Sequence, residues 1–243
     1  MLVDCPRVNR PRVTAWPTRQ SILNRPNFRP NAFLIDLDGV LTDSYSLHLA
    51  AYEVALEFDD LSMTPGALDL LVAGASRDRV LSEAGVPSDR HQSISERKQA
   101  VFLKALDDGG LAPSQGAVGF MKELRRLACP AALVSNSEAA LASVASLGLE
   151  WAFDVVIDGS MLHEPKPSPE SFLLAAERLG VSPDECVAVE DSSSGAQAAR
   201  AAGAFVVGLG SGVARADVDL RVAALNVIPL EVWLGPVHSS NLV

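Results

Sequence analysis

Asp36 and Asp38 stand one residue apart at the end of an apolar run, in the stretch FLIDLDGVLTD over residues 33–43. The apolar residues suit a short strand covered on both faces. Two carboxylates at its carboxyl end repel one another unless a cation or a reaction uses them. Open α/β sheets bind ligands at that end of their strands, so the stretch points to a catalytic site.

Three later loops carry matching chemistry. Ser135-Asn136-Ser137 offers a hydroxyl and free backbone N–H groups ahead of a helix, which together make an anion site. Lys166 sits in the proline-stiffened loop Glu164-Pro165-Lys166-Pro167-Ser168-Pro169, and Glu190-Asp191 closes another apolar run before a Ser-Ser-Ser-Gly helix entry. A carboxylate nucleophile, further acids, an anion-binding hydroxyl and a cation together suit phosphoryl transfer through an aspartyl phosphate. So many carboxylates require a hard divalent cation, and Mg2+ is the natural choice beside a phosphate. The expected metal group is Asp36 and Asp191, with Asp38 through its backbone carbonyl and Glu190 close by. Taken singly, Ser135 reads as a helix cap, and Asp43, Asp191 and Ser192 to Ser194 as cap or turn residues. Their joint occurrence in order is what singles out Asp36, Asp38, Lys166 and Asp191.

Bringing these groups to one edge requires a sheet. After Asp43 the spacing turns helical, with Leu47, Ala51, Val54, Ala55 and Phe58 along one face. Helical character continues over 66–81 and 96–106, interrupted at Gly85-Val86-Pro87-Ser88 and stopped at Asp108-Gly109-Gly110. From Pro113 onward helices (114–128, 138–147, 168–179, 194–202) alternate with strands (131–135, 155–157, 186–190, 205–209). With the first strand this predicts five strands of a Rossmann-like parallel α/β core, interrupted by an α-helical insert. The expected organisation is an N-terminal extension over 1–30, a core over 31–45 and 112–243, and a helical cap over 46–111.

At 243 residues, 48% of them hydrophobic, the chain can bury a sizeable core, yet no apolar run approaches the roughly 20 residues of a membrane span. Cys5, Cys129 and Cys186 form no metal-type or redox-type pair, which suits unpaired thiols in a reducing, cytoplasmic setting. Arg7, Arg10, Arg12, Arg19, Arg25 and Arg29 precede the first strand with only Asp4 opposing them, so the remainder is more acidic than the whole chain's net charge of −10. An acidic body disfavours nucleic acid. The leader's Pro6, Pro11, Pro17, Pro26 and Pro30 preclude a continuous helix, and it has no secretory apolar core, so a flexible or loosely docked extension is expected.

The order and content of these loops resemble the haloacid dehalogenase superfamily, in particular its β-phosphoglucomutase-like branch, over roughly residues 32–230. The resemblance rests on DxDGxxxD at Asp36 to Asp43, Ser135 after the second strand, Lys166 before a helix, and Glu190-Asp191 after the fourth strand. It implies that Asp36 attacks phosphorus, that Asp38 acts as acid and then base, and that Ser135, Asn136 and Lys166 hold the transferring phosphoryl group. It also implies that the insert caps the site over a small phosphorylated substrate.

Whether water or a sugar hydroxyl then attacks the aspartyl phosphate separates a phosphatase from a mutase. His48, Arg77 and Lys98 resemble cap residues of β-phosphoglucomutases: by resemblance Arg77 binds the non-transferring phosphate, while His48 and Lys98 orient Asp38 and the substrate. Read alone, His48 is a helix residue among apolar neighbours, and Arg77 and Lys98 are solvated charges. After Ser135, however, mutases usually offer a basic residue and an Asn, where this chain has Glu138 and Ala139. A carboxylate there repels a second phosphate unless it turns away. The sequence therefore favours a Mg2+-dependent phosphatase of a sugar phosphate, with β-phosphoglucomutase next and a noncatalytic phosphate-binding module third.

Overall fold

The computed structural model describes residues 29–235. The extension expected over residues 1–30 lies outside them save for Arg29 and Pro30, as does Cys5.

Six parallel strands form one sheet: β1 (Ala32–Ile35), β2 (Ala131–Val134), β3 (Val155–Ile157), β4 (Cys186–Glu190), β5 (Phe205–Leu209) and β6 (Leu220–Val222). Their order is β3-β2-β1-β4-β5-β6, so the chain steps one way from β1 and then the other. The reversal makes the gap between β1 and β4 the topological switch point. β6 is a correction to the five strands expected from sequence. Three residues long, with Arg221 at its centre, it lacks an apolar run and forms by edge pairing with β5.

β1 is fully buried, and its side chains alternate between two cores. Phe33 and Ile35 join Leu133, Val187 and Val189 on one face, beneath α5 (Ala117–Arg126) and α6 (Ala140–Ser146). Ala32 and Leu34 join Val134, Ala188 and Val206 on the other, beneath α7 (Glu170–Leu179) and α8 (Ser193–Ala202). Trp233, from the closing α9 (Leu230–Leu234), lies 6.4 Å from the Phe33 ring and 5.7 Å from Phe205. At roughly 2–3 kcal/mol for each large apolar side chain buried, this two-sided core holds the strand ends that carry the acids.

Between β1 and α5 stand four helices: α1 (Tyr45–Glu57), α2 (Pro65–Val72), α3 (Arg77–Glu83) and α4 (His91–Asp107). The helix expected over 66–81 is broken in two at Ala73-Gly74. Gly74 has φ +68, and a side chain there would press on Ser192. The insert has its own core around Tyr52, Leu56, Leu81 and Ile94, while Ala51, Phe102 and Leu106 pack on Ala139 of the sheet domain. Its entry and exit are stitched together by Thr42 Oγ1 donating to the Ala112 carbonyl (2.9 Å) and the Ser114 N–H to the Leu41 carbonyl (2.7 Å).

Candidate active site

Strand register explains why distant acids meet. Ile35 lies opposite Val189 of β4 and Leu133 of β2, and the Asp36 N–H donates to the Val189 carbonyl at 3.0 Å. Asp36 therefore emerges beside Glu190-Asp191 on one side and Ser135 on the other. Carboxylate oxygens of Asp36, Glu190 and Asp191 come within 4.8 Å of one another.

Lys166 is driven into this group. Its ammonium donates to Asp36 Oδ1 (2.6 Å), Glu190 Oε1 (2.5 Å) and the Val134 carbonyl (2.9 Å), and it lies 5.0 Å from the centre of the Phe172 ring. Only 3% of Lys166 is exposed. Burial opposes its charge, but Asp36 and Glu190 outweigh that and raise its pKa. All three protons are committed, so a phosphoryl oxygen binds Lys166 only by sharing or replacing one of these contacts. Asn136 couples the two loops, its Oδ1 accepting the Lys166 N–H at 3.0 Å, which leaves its amide NH2 for an anion. Buried Ser135 accepts the Ser137 N–H at 3.0 Å, closing a turn ahead of α6, and its own proton is left to donate.

The remaining acids are strained electrostatically. Burial, and then the charge of Glu190, hold the Asp36 pKa well above the ordinary carboxylate range. Burial and the same neighbour push Asp191 up to about 8. A site with one ammonium for three crowded carboxylates, all with hard oxygen donors, fits a divalent oxygen-seeking cation such as Mg2+. Two glycines keep the acids where they are. A Cβ at Gly39 (φ +79) would overlap the Asp191 carboxylate, and one at Gly195 would overlap that of Glu190. Ser192 caps α8 by accepting the Gly195 N–H and also donates to Glu190 Oε2 (3.1 Å), which goes beyond the cap role expected of it.

Asp38 stands apart. Its side chain is outside the three-carboxylate group and accepts hydrogen bonds from Ser44 and from His48 Nε2 (3.3 Å). This leaves the backbone carbonyl as its route to a metal. Lys98 Nζ lies 2.8 Å from His48 Nδ1. An ammonium only donates, so Nδ1 accepts and Nε2 carries the proton toward Asp38. Burial works against the Asp38 charge, yet His48, Ser44 and Lys98 overcome it and bring the pKa to about 2. Phe102 stacks on the imidazole with ring centres 4.3 Å apart, holding it in plane. Sequence reasoning missed Ser44, Phe102 and Gly195, whose partners are set by tertiary packing. Gly39, directly after the paired acids, was the one such residue in plain view.

Arg77, at the start of α3, donates to Glu138 Oε1 at 3.2 Å, joining the insert to the loop after β2. Glu138 thus faces the insert at the Arg77 contact. Nearby, Ser194 Oγ donates to the Gly74 carbonyl at 2.8 Å. Asp43 is exposed and outside the group. Cys129 and Cys186 are buried free thiols, both raised to about 12, chiefly by burial. No helix among the described residues is long and apolar enough to cross a membrane.

A parallel sheet with this switch point and this acid–lysine constellation defines a phosphoryl-handling α/β hydrolase. The chain belongs to the haloacid dehalogenase-like hydrolases, whose profile matches residues 30–203. It is 30% identical to the β-phosphoglucomutase of Bacillus subtilis over 82% of this chain and 92% of that protein. It is 33% identical to the fructose-1-phosphate phosphatase YqaB of Escherichia coli, over 70% and 91% respectively. The crystal structure of β-phosphoglucomutase from Clostridium difficile superposes with a TM-score of 0.73 at 27% identity, covering 83% of this chain and 94% of that one. The protein is thus an enzyme of the branch containing sugar-phosphate phosphatases and phosphoglucomutases.

Proposed function

We propose that the protein is a Mg2+-dependent phosphatase of a small phosphorylated metabolite, a sugar monophosphate, working through an aspartyl phosphate at Asp36. The observation that carries this reading is the division of labour between two neighbouring acids. Asp36 sits against Lys166 among the clustered carboxylates, whereas Asp38 is held separately by Ser44 and the His48–Lys98 pair.

Asp36 attacks phosphorus, and the ester P–O bond breaks as Asp38 protonates the leaving alcohol. Water then attacks the same phosphorus, Asp38 takes its proton, and the Asp36–phosphorus bond breaks to release phosphate. The resting Asp38, at about 2, is poised as the base. A phosphate dianion bound beside it adds negative charge and raises its affinity for the proton needed in the first step. Ser135, the Asn136 amide and Lys166 would hold the phosphoryl oxygens. Asp36 and Asp191 would hold the cation, with the Asp38 carbonyl and Glu190 supporting. When bound, Mg2+ supplies charge neutralisation for the acids and the phosphoryl oxygens.

Glu138 separates phosphatase from mutase. A mutase must hold a second phosphate, and the cation suited to that task, Arg77, is already paired with Glu138. The mutase reading keeps one observation in its favour: Arg77 reaches from the insert to the loop after β2, where a second phosphate would lie once Glu138 gave way. A phosphate-release screen over sugar monophosphates with Mg2+, run beside a coupled assay converting β-glucose 1-phosphate to glucose 6-phosphate, tests this. Phosphate release is expected to dominate; isomerisation outrunning release overturns the phosphatase.

A further inference from the structure

A cavity of about 480 Å3 lies between α4 and the Arg77–Glu138 pair, within the size range of small-ligand sites. Ser95 and Gln99, one helical turn apart on α4, line it. Both side chains lack hydrogen-bond partners among the described residues, and Gln99 Oε1 is buried without one. A buried, unsatisfied amide is costly, and proteins retain such groups mostly where a ligand or water completes them.

The cavity adjoins the chemistry. Lys98, between Ser95 and Gln99 in sequence, reaches His48 and through it Asp38. Glu138 lies three residues after Ser135. Lys98 feels the charges of Arg77, Asp38 and Glu138 together, so the cavity and the acid/base group share one electrostatic environment.

We infer that Ser95 and Gln99 are specificity-determining residues that read the hydroxyls of a neutral, polyhydroxylated leaving group. The inference rests on the phosphatase reading above and extends it to the part of the substrate away from phosphorus. Arg77 is matched by Glu138, and Glu96 adds a second carboxylate to the lining, so another phosphate would meet net negative charge. No aromatic residue lines the cavity, so a nucleobase would find no ring to stack on. Hydroxyls, which both donate and accept, suit an amide, a serine and two carboxylates together.

The test compares kcat/KM for two substrates carrying the same transferred group: the best of a panel of hexose and pentose monophosphates, and acetyl phosphate, which has no hydroxyls. In Gln99→Leu and in Ser95→Ala the sugar-to-acetyl ratio should fall about tenfold, mainly through KM for the sugar ester. Ser95→Thr, which keeps the hydroxyl, should restore most of it. An unchanged ratio in both variants overturns the inference, as does wild-type preference for phosphoethanolamine or a sugar bisphosphate over every sugar monophosphate. If the wild type hydrolyses acetyl phosphate but no sugar ester, this inference fails together with the sugar-monophosphate substrate, while the aspartyl-phosphate phosphatase stands. If it hydrolyses neither, the phosphatase reading has failed first.

Discussion

At the scale of residues, Asp36 and Asp38 look alike in sequence but differ in their partners. Asp36→Asn keeps the size of the side chain and removes the nucleophile, so kcat should fall by about a thousandfold or more while the fold persists, measured as phosphate release beside a thermal melt. Lys98 gives a pH signature. Burial, and then the Arg77 charge, lower its pKa to about 8, so its proton is lost as pH rises through that value rather than near 10.5. The neutral amine no longer favours charge on Asp38, and kcat/KM should decline above pH about 8. Lys98→Arg, which stays charged, should move that decline to higher pH; an unmoved decline would assign it to another group. Linkage has the opposite sign for stability, because the unfolded chain holds this proton up to about 10.5 and the folded state gains on it between 8 and 10.5. The meeting of Asp36, Lys166 and Asp191 was legible because each sits beside a run of apolar or proline residues that fixes its place. Ser44 and Phe102 were not, since an ordinary Ser and Phe acquire meaning only when the insert folds back over Asp38.

At the scale of elements, the strand ends and helix starts act as a frame with no spare volume. Gly195 opens α8 directly against the Glu190 carboxylate, so Gly195→Ala must displace that acid or the helix. A loss of roughly 1–3 kcal/mol is expected, as for other overpacked sites, read as a lowered denaturation midpoint with weakened Mg2+ activation. Unchanged values of both would show that Glu190 has freedom the packing denies it. Buried strands β1, β2 and β4 were readable from unbroken apolar runs, and the insert's helices from their spacing, as three segments rather than four. The break at Gly74 was not, because it answers to docking on Ser192 and Ser194 more than a hundred residues later. Nor was β6, whose order comes from its neighbour β5 rather than from its own three residues.

At the scale of the whole molecule, an insert and a sheet domain meet over charged groups, and the proposed function adds a cation that relieves the crowded acids. Mg2+ should stabilise the folded protein, by about 2.7 kcal/mol at a hundred times its dissociation constant, and chelation should abolish turnover reversibly. A melt insensitive to Mg2+ and EDTA would contradict the proposed ligand group. Glu138→Gln frees Arg77 at the domain junction, so competitive inhibition by sugar bisphosphates should strengthen about tenfold over wild type. No change would mean that Glu138 does not control that charge. The placement of helices between β1 and β2 was legible in outline because a helical run interrupts an otherwise regular α/β alternation. The Arg77–Glu138 contact was visible only as a departure from the expected pattern, since a pair 61 positions apart has no local signature.

The central claim is that phosphoryl transfer passes through Asp36 to water. Acid-quenching the enzyme during turnover of a sugar monophosphate, and mapping the phosphoryl label by peptide mass spectrometry, tests this directly. Label is expected on Asp36, absent in Asp36→Asn, and chased into inorganic phosphate as fast as the enzyme turns over. Label on another residue, or label chased predominantly into a second sugar phosphate, would contradict it.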